Sequence, residues 1–172
     1  PSERTSRPFA VLLVDLDHFK PVNDLYGHAT GDFILRTAAE RLLKVVGTRG
    51  TIARLGGDEF GIIFDADSSA LEQKAEACAK DIIRTMSEPI PIGGFQVEIG
   101  ASVGIALCPE HGTDSKSLFR NADMALYDIK QAGRGKFRFY SASLGRDAET
   151  KALLDGATRY AVVHDEIEPY FQ

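Results

Sequence analysis

The uninterrupted apolar run from Phe9 to Val14 ends in Asp15-Leu16-Asp17. A run of this length reads as a buried strand. A carboxylate at the end of a buried strand is costly unless it is paired or holds a metal ion. The chain must therefore build a sheet around this strand and bring partners to its acidic end.

The remaining elements follow from periodicity and punctuation. Pro21, Asn23, Asp24, Gly27 and Gly31 crowd one stretch, which predicts turns rather than a long element. From Asp32 a helical period begins, with Ile34, Leu35, Ala38, Leu42, Val45 and Val46 on one side, and Gly47 and Gly50 end it. Thr51 to Arg54 and Phe60 to Phe64 read as two strands of a hairpin joined through Leu55-Gly56-Gly57-Asp58-Glu59. A second helix is predicted over about Ser68 to Met86, with Leu71, Ala75, Cys78, Ile82 and Met86 inward. Pro89, Pro91, Gly93 and Gly94 break the chain, and Phe95, Val97 and Ile99 then alternate ahead of the apolar run Val103 to Leu107. A third helix is predicted from about Ser115 to Gln131, with Gly133 just past its end. A last strand covers Phe137 to Tyr140. The order strand, helix, hairpin, helix, strand, helix, strand predicts an α+β domain, with an antiparallel or mixed sheet and helices packed on its faces.

The tail from Leu144 to Gln172 is charge-rich, with Leu153, Leu154, Ala157 and Ala161 at helical spacing. It reads as a long helix ending near Glu168-Pro169. The expected organisation is one domain over residues 1–142, followed by a connector over residues 143–172. A length of 172 residues suits one domain with a true core plus some extra elements.

The formal net charge of −5 argues against a nucleic-acid binder by bulk electrostatics. An anionic ligand would have to meet a local cluster of cations, or a metal. The two cysteines, Cys78 and Cys108, make no disulfide framework and no metal-type pair. Reduced thiols and a cytoplasmic setting are expected. No apolar run is long enough to span a bilayer, and no signal-peptide pattern opens the sequence.

Three segments carry residues that a packed core does not need. The first is Asp15-Leu16-Asp17-His18-Phe19-Lys20, followed by Asn23-Asp24 and Gly27-His28. The second is Gly56-Gly57-Asp58-Glu59-Phe60, where adjacent carboxylates repel and the glycines let a bulky ligand approach the backbone. The third is Lys130 with Arg134, cations that suit a helix C-terminus and suit phosphates equally. Singly, each fits a plain structural role as turn former, hairpin or helix cap. Together they supply a metal-binding acid pair, a close-approach turn and a phosphate clamp, the set that nucleotidyl transfer requires.

These segments resemble a known family. Arg54-Leu55-Gly56-Gly57-Asp58-Glu59-Phe60 is similar to the motif that names the GGDEF domains. The run from Asp15 to Asp32 is similar to that family's first block, Ser102 to Ala106 to its later strand, and Asn121 to Arg134 to its last helix. The resemblance spans nearly Phe9 to Tyr140. It implies a polymerase-palm or nucleotide-cyclase-like sheet with a ferredoxin-like βαββαβ core, GTP as ligand, and diguanylate cyclase activity at a homodimer interface. Carried over by position, Asp15 and the Leu16 carbonyl resemble one part of the metal site and Asp58 the other carboxylate ligand. Glu59 resembles the acid beside the reacting centre, as metal contact or as an aid to deprotonating the 3′-hydroxyl. Asn23 and Asp32 resemble the guanine-reading pair. The amides around His18 and Phe19, with Lys20, Lys130 and Arg134, resemble the triphosphate grip. Asp17 and Asp24 are expected to be structural. Mg²⁺ is the implied metal, two per site, with Mn²⁺ as the alternative.

The sequence also departs from the family's pattern. Gly47-Thr48-Arg49-Gly50 stands where many such cyclases carry an inhibitory Arg-x-x-Asp, so product inhibition by that route is not expected. Arg49 and Arg54 are expected to be surface and turn residues. Gly135 replaces a usual Asn. The family's leading helix is missing, so the chain reads as a fragment. Glu166 to Gln172 resembles the opening of an EAL domain, the phosphodiesterase module for cyclic di-GMP. The parent is then a GGDEF–EAL tandem, and the alternative to a cyclase is a silent GTP-binding module that controls the attached phosphodiesterase.

Overall fold

The computed structural model describes residues 8–65 and 70–144. Every element below lies in the compact unit formed by residues 1–140. The expected tail helix and connector beyond Leu144, and the first residues of the second predicted helix, lie outside the described residues.

Strand β1 (Phe9–Asp17) is the centre of a five-stranded sheet ordered β2-β3-β1-β6-β7. β2 (Gly50–Gly56) and β3 (Glu59–Asp65) form the predicted hairpin, and β3 pairs antiparallel with β1. β6 (Gly100–Cys108) pairs antiparallel with the other edge of β1, and β7 (Phe137–Phe139) adds in parallel to β6. Between β1 and β2 run α1 (Phe19–Tyr26) and α2 (His28–Val46). Between β3 and β6 run α3 (Leu71–Met86) and a small hairpin, β4 (Ile90–Ile92) with β5 (Phe95–Val97). Helix α4 (Ser115–Gln131) links β6 to β7. Two split βαβ units therefore interlock through β1 and β3, which is the expected α+β, βαββαβ core.

Period two on β1 divides the interior. Ala10, Leu12, Val14 and Leu16 pack into a core with Ile34, Leu35 and Leu42 of α2 and Ala75, Cys78 and Ile82 of α3. Val11 and Leu13 face the other way and pack with Leu118, Ala122 and Leu126 of α4. α4 sits directly on β6 at Gly104, where an added Cβ would lie 2.1 Å from the Ala122 carbonyl oxygen. No side chain can separate helix from sheet at that point. The approach brings the C-terminal end of α4 over the acidic end of β1.

Two expectations need correction. The stretch read as turns is α1 and the first turn of α2. Pro21 falls in the first turn of α1, where its missing N–H has no intrahelical partner to lose. Gly27, at φ 84, then separates the two helices. α2 starts at His28 rather than Asp32 because its first turn is mostly exposed and carries no apolar period. The prolines and glycines read as a break enclose the small hairpin instead, with Pro91 on a two-stranded edge and Gly93 and Gly94 at φ 53 and 94 in its turn.

Candidate active site

The site lies where β1, the β2–β3 turn and the end of α4 meet. Asp15 is opposite Glu59 in the β1–β3 register and opposite Ser102 in the β1–β6 register. The Leu16 N–H donates to the Asp58 carbonyl at 3.2 Å, which draws the hairpin tip against the strand end. That tip depends on Gly57, at φ 52. Arg54 closes it from within: its Nε and Nη2 both donate to the Gly57 carbonyl, at 3.0 and 2.8 Å. Arg54 is thus the turn residue expected from sequence. Asp58 is half-buried and Glu59 exposed.

Lys130, in the last turn of α4, donates from Nζ to Asp15 Oδ2 at 2.6 Å and lies 3.8 Å from Glu59 Oε1. Burial pushes the Asp15 carboxyl above its ordinary range; Lys130 pulls it down, and the charges of Asp58 and Glu59 push it up again. Three carboxylates around one ammonium leave negative charge in excess. The donors are all hard oxygens, which suits Mg²⁺. Among the described residues no group of three or more His, Cys, Asp or Glu side chains is gathered closely enough to hold a metal ion by itself. An open acidic edge is what Mg²⁺ accepts, because it takes one or two carboxylates and completes its shell with water and substrate phosphate. The residues present therefore fit the expected metal.

Two residues further along β1, Asp17 is held differently. Its carboxylate accepts from Ser102 Oγ at 2.8 and 3.1 Å and from the Gly135 N–H at 3.0 Å. Arg134 Nε stands 4.0 Å from Asp17 Oδ1. The expected structural character of Asp17 matches this burial and bonding. Gly135 has φ 64, a region Asn also tolerates, so the departure from the usual Asn carries little backbone cost.

The residues expected from sequence to face a nucleotide sit around α1 and the start of α2. His18 takes a left-handed conformation, φ 61 and ψ 21, and turns the chain from β1 into α1. No side chain caps α1 among the described residues, and its first turn holds no acid. Its first-turn amides thus have no side-chain cap and Lys20 is exposed, an arrangement that is able to take an anion. Phe19 is buried and anchors that turn. Asn23 lies across Gly31: an added Cβ there would fall 2.2 Å from Asn23 Oδ1. The Asn23 amide also meets His28, Nδ2 to Nδ1 at 3.1 Å. Asp32, the next residue after Gly31, lines a groove of about 360 Å³ between α2 and the β2–β3 hairpin. Leu35, Ala39, Ile52 and Phe60 form its apolar walls, and Arg36 and Arg54 its other polar residues.

Asp15, Glu59 and Lys130 thus converge at the strand end with Asp58 beside them, while Asn23 packs on Gly31, the residue before the groove-lining Asp32. Arg134 stands beside Asp17 rather than beside Asp15, Asp58 or Glu59. The groove walls were not read as a binding surface from sequence. Leu35 was legible only as core, and Phe60 opposes Arg54 across the hairpin, a relation visible only once register is known.

The family model for the diguanylate cyclase GGDEF domain matches residues 1–136. The chain is 40% identical over 169 residues to the bifunctional diguanylate cyclase/cyclic di-GMP phosphodiesterase MucR of Pseudomonas aeruginosa, covering 98% of the chain and 24% of that protein. It is 38% identical over 162 residues to the cyclic di-GMP phosphodiesterase PdeR of Escherichia coli, covering 94% of the chain and 24% of that protein. The chain therefore spans about a quarter of these relatives' length. Among solved structures, the GGDEF domain of TpbB from Pseudomonas aeruginosa superposes with a TM-score of 0.78 at 37% identity, over 83% of each chain. The fold is the palm-like, nucleotide-cyclase-like class expected from the resemblance.

Proposed function

The chain belongs to the GGDEF family, and from that premise we propose that it is a diguanylate cyclase, condensing two GTP into cyclic di-GMP and two pyrophosphates. The observation that carries this reading is the convergence of Asp15, Glu59 and Lys130, beside Asp58, at one strand end. A structural hairpin has no use for that acidity, and the Asp32 groove lies beside the same turn.

Asn23 and Asp32 read guanine: an amide can donate and accept, and a carboxylate can take the N1 and N2 protons. The first-turn amides of α1, with Lys20, Lys130 and Arg134, hold the triphosphate. Asp15, the Leu16 carbonyl, Asp58 and Glu59 hold Mg²⁺. When bound, that metal supplies positive charge that makes the 3′-hydroxyl more acidic and offsets the charge of departing pyrophosphate. Glu59 is exposed and stands open to a second nucleotide. Each domain holds one GTP, so two domains meet face to face, each offering a 3′-hydroxyl to the other's α-phosphate. No helix among the described residues is long and apolar enough to cross a membrane. MucR, whose name joins both activities, matches across 98% of the chain, tail included. That supports a GGDEF–EAL parent.

A second reading is favoured by PdeR, a phosphodiesterase by name that is 38% identical. In that reading the domain binds GTP and tunes an attached EAL module without making product. Chromatography of GTP incubated with Mg²⁺ and protein separates the two. Cyclic di-GMP from wild type, absent with Asp58→Ala, supports the cyclase. Tight GTP binding with no product at any protein concentration supports the regulator.

A further inference from the structure

Asp17 is a buried carboxylate, 3% exposed, outside the residues assigned above to metal and nucleotide. Its surroundings form a latch across three elements. Ser102 of β6, itself fully buried, donates to both carboxylate oxygens. The Gly135 N–H, in the turn between α4 and β7, donates to Asp17 Oδ2 at 3.0 Å and also reaches Ser102 Oγ at 3.1 Å.

That turn is strained. Gly133, Arg134 and Gly135 have φ of 105, 59 and 64. The glycines take such values at no steric cost, but a left-handed backbone at Arg134 costs about 1 kcal/mol. Such a conformation persists only where surrounding structure over-determines it. Here the Arg134 N–H returns to the Ile129 carbonyl at 3.0 Å, and the next amide is fixed on Asp17. The Asp17 charge also faces the guanidinium, with Nε at 4.0 Å from Oδ1.

We infer that Asp17 is a positioning residue for phosphate recognition, which sets the left-handed Arg134 through the Ser102–Gly135 latch and aims its guanidinium at the triphosphate. The inference rests on the reading of Arg134 as part of the triphosphate grip. Asp17 does not touch nucleotide. Its effect passes through the turn, so it follows the phosphate chain and not the base.

The test is calorimetric titration of the whole chain with GTP and, separately, with GMP. The variants are Asp17→Asn, Ser102→Ala and, as reference, Arg134→Ala. Asp17→Asn keeps the shape and removes the charge, while Ser102→Ala deletes one donor and spares the carboxylate. We expect Arg134→Ala and Asp17→Asn each to weaken GTP by on the order of tenfold, the scale of one charge-assisted hydrogen bond. Ser102→Ala should show a smaller loss, and GMP should bind each variant within about twofold of wild type, less than a single such bond. The Asp17→Asn/Arg134→Ala double variant should lose little more than either alone, because the two act as one unit. Equal losses for GTP and GMP would reduce Asp17 to general scaffolding and overturn the inference. So would a GTP loss with Arg134→Ala that Asp17→Asn does not share. No GTP loss with Arg134→Ala would remove the grip itself, and the inference with it.

Discussion

The two faces of β1 obey different rules. On the α2–α3 side, Ala10, Leu12, Val14 and Leu16 continue as core to the strand's end. On the α4 side, Val11 and Leu13 are core, and Asp15 and Asp17 follow at the same spacing. The first face is given wholly to stability. The second gives up two buried positions to charge, held by Lys130 at one and by the Ser102–Gly135 latch at the other. Period two lets one strand do both, because changing every second residue leaves the opposite face untouched.

If the faces divide labour in this way, substitutions on them should fail differently. The largest effect belongs to Asp15→Asn. Turnover should fall by about a thousandfold, the scale of removing a group that acts in the transition state. In metal-free buffer its melting temperature should equal or exceed that of wild type. The reason is the sign of the Asp15 shift. Burial raises the folded-state pKa, so the folded protein holds this proton to higher pH than the unfolded chain does. Ionisation therefore costs stability as pH rises through the folded value. The advantage of the neutral Asn should be full above the raised folded value and vanish below the ordinary carboxyl value of 3.8. A large stability loss near neutral pH would show that the Lys130 pair holds the fold together, and would erase the contrast.

Leu12→Ala is the complementary break. It should cost about 2–5 kcal/mol in denaturant unfolding, as large-to-small core changes do. Activity per folded molecule should survive, and a proportionate loss of activity would couple the two faces. Asn23→Ala should weaken GTP by about tenfold, the scale of removing one buried hydrogen bond, and leave ATP nearly unchanged. Equal losses for both nucleotides would remove Asn23 as a guanine reader.

The smallest effect lies at the far end of β6. The His111 ring accepts the Leu107 N–H at Nδ1, 3.0 Å away, which requires the neutral ring. Burial lowers its pKa below the ordinary 6.5, against the opposing pull of Glu110 and Glu72. Its stabilisation is present above 6.5 and lost as pH falls through the lower folded value. His111→Gln should flatten the acid limb of a melting-temperature profile below pH 6.5, and an unchanged limb would assign that loss to other groups.

The core was legible because it is periodic. The Ser115 to Gln131 helix and the β2–β3 hairpin fall where apolar spacing and the glycine turn place them. α1 was hidden because it is short, opens on a proline in its first turn and buries Phe19 alone among its residues. Asp15, Asp58, Glu59 and Lys130 could be singled out because a core needs none of them. Their meeting could not be read from spacing, since Lys130 reaches Asp15 across 115 residues of chain. The Asp17 latch was illegible for the same reason. Its donors come from β6 and from a turn whose left-handed Arg134 no propensity foretells.

The most direct test of the central reading is the specific rate of cyclic di-GMP formation from GTP and Mg²⁺ as protein concentration rises from low to high micromolar. A cyclase whose active site is completed by a second domain predicts specific activity that climbs with concentration and then levels off. Constant specific activity across the range would contradict assembly of the site from two weakly associating domains, and saturable GTP binding with no product would contradict the cyclase itself.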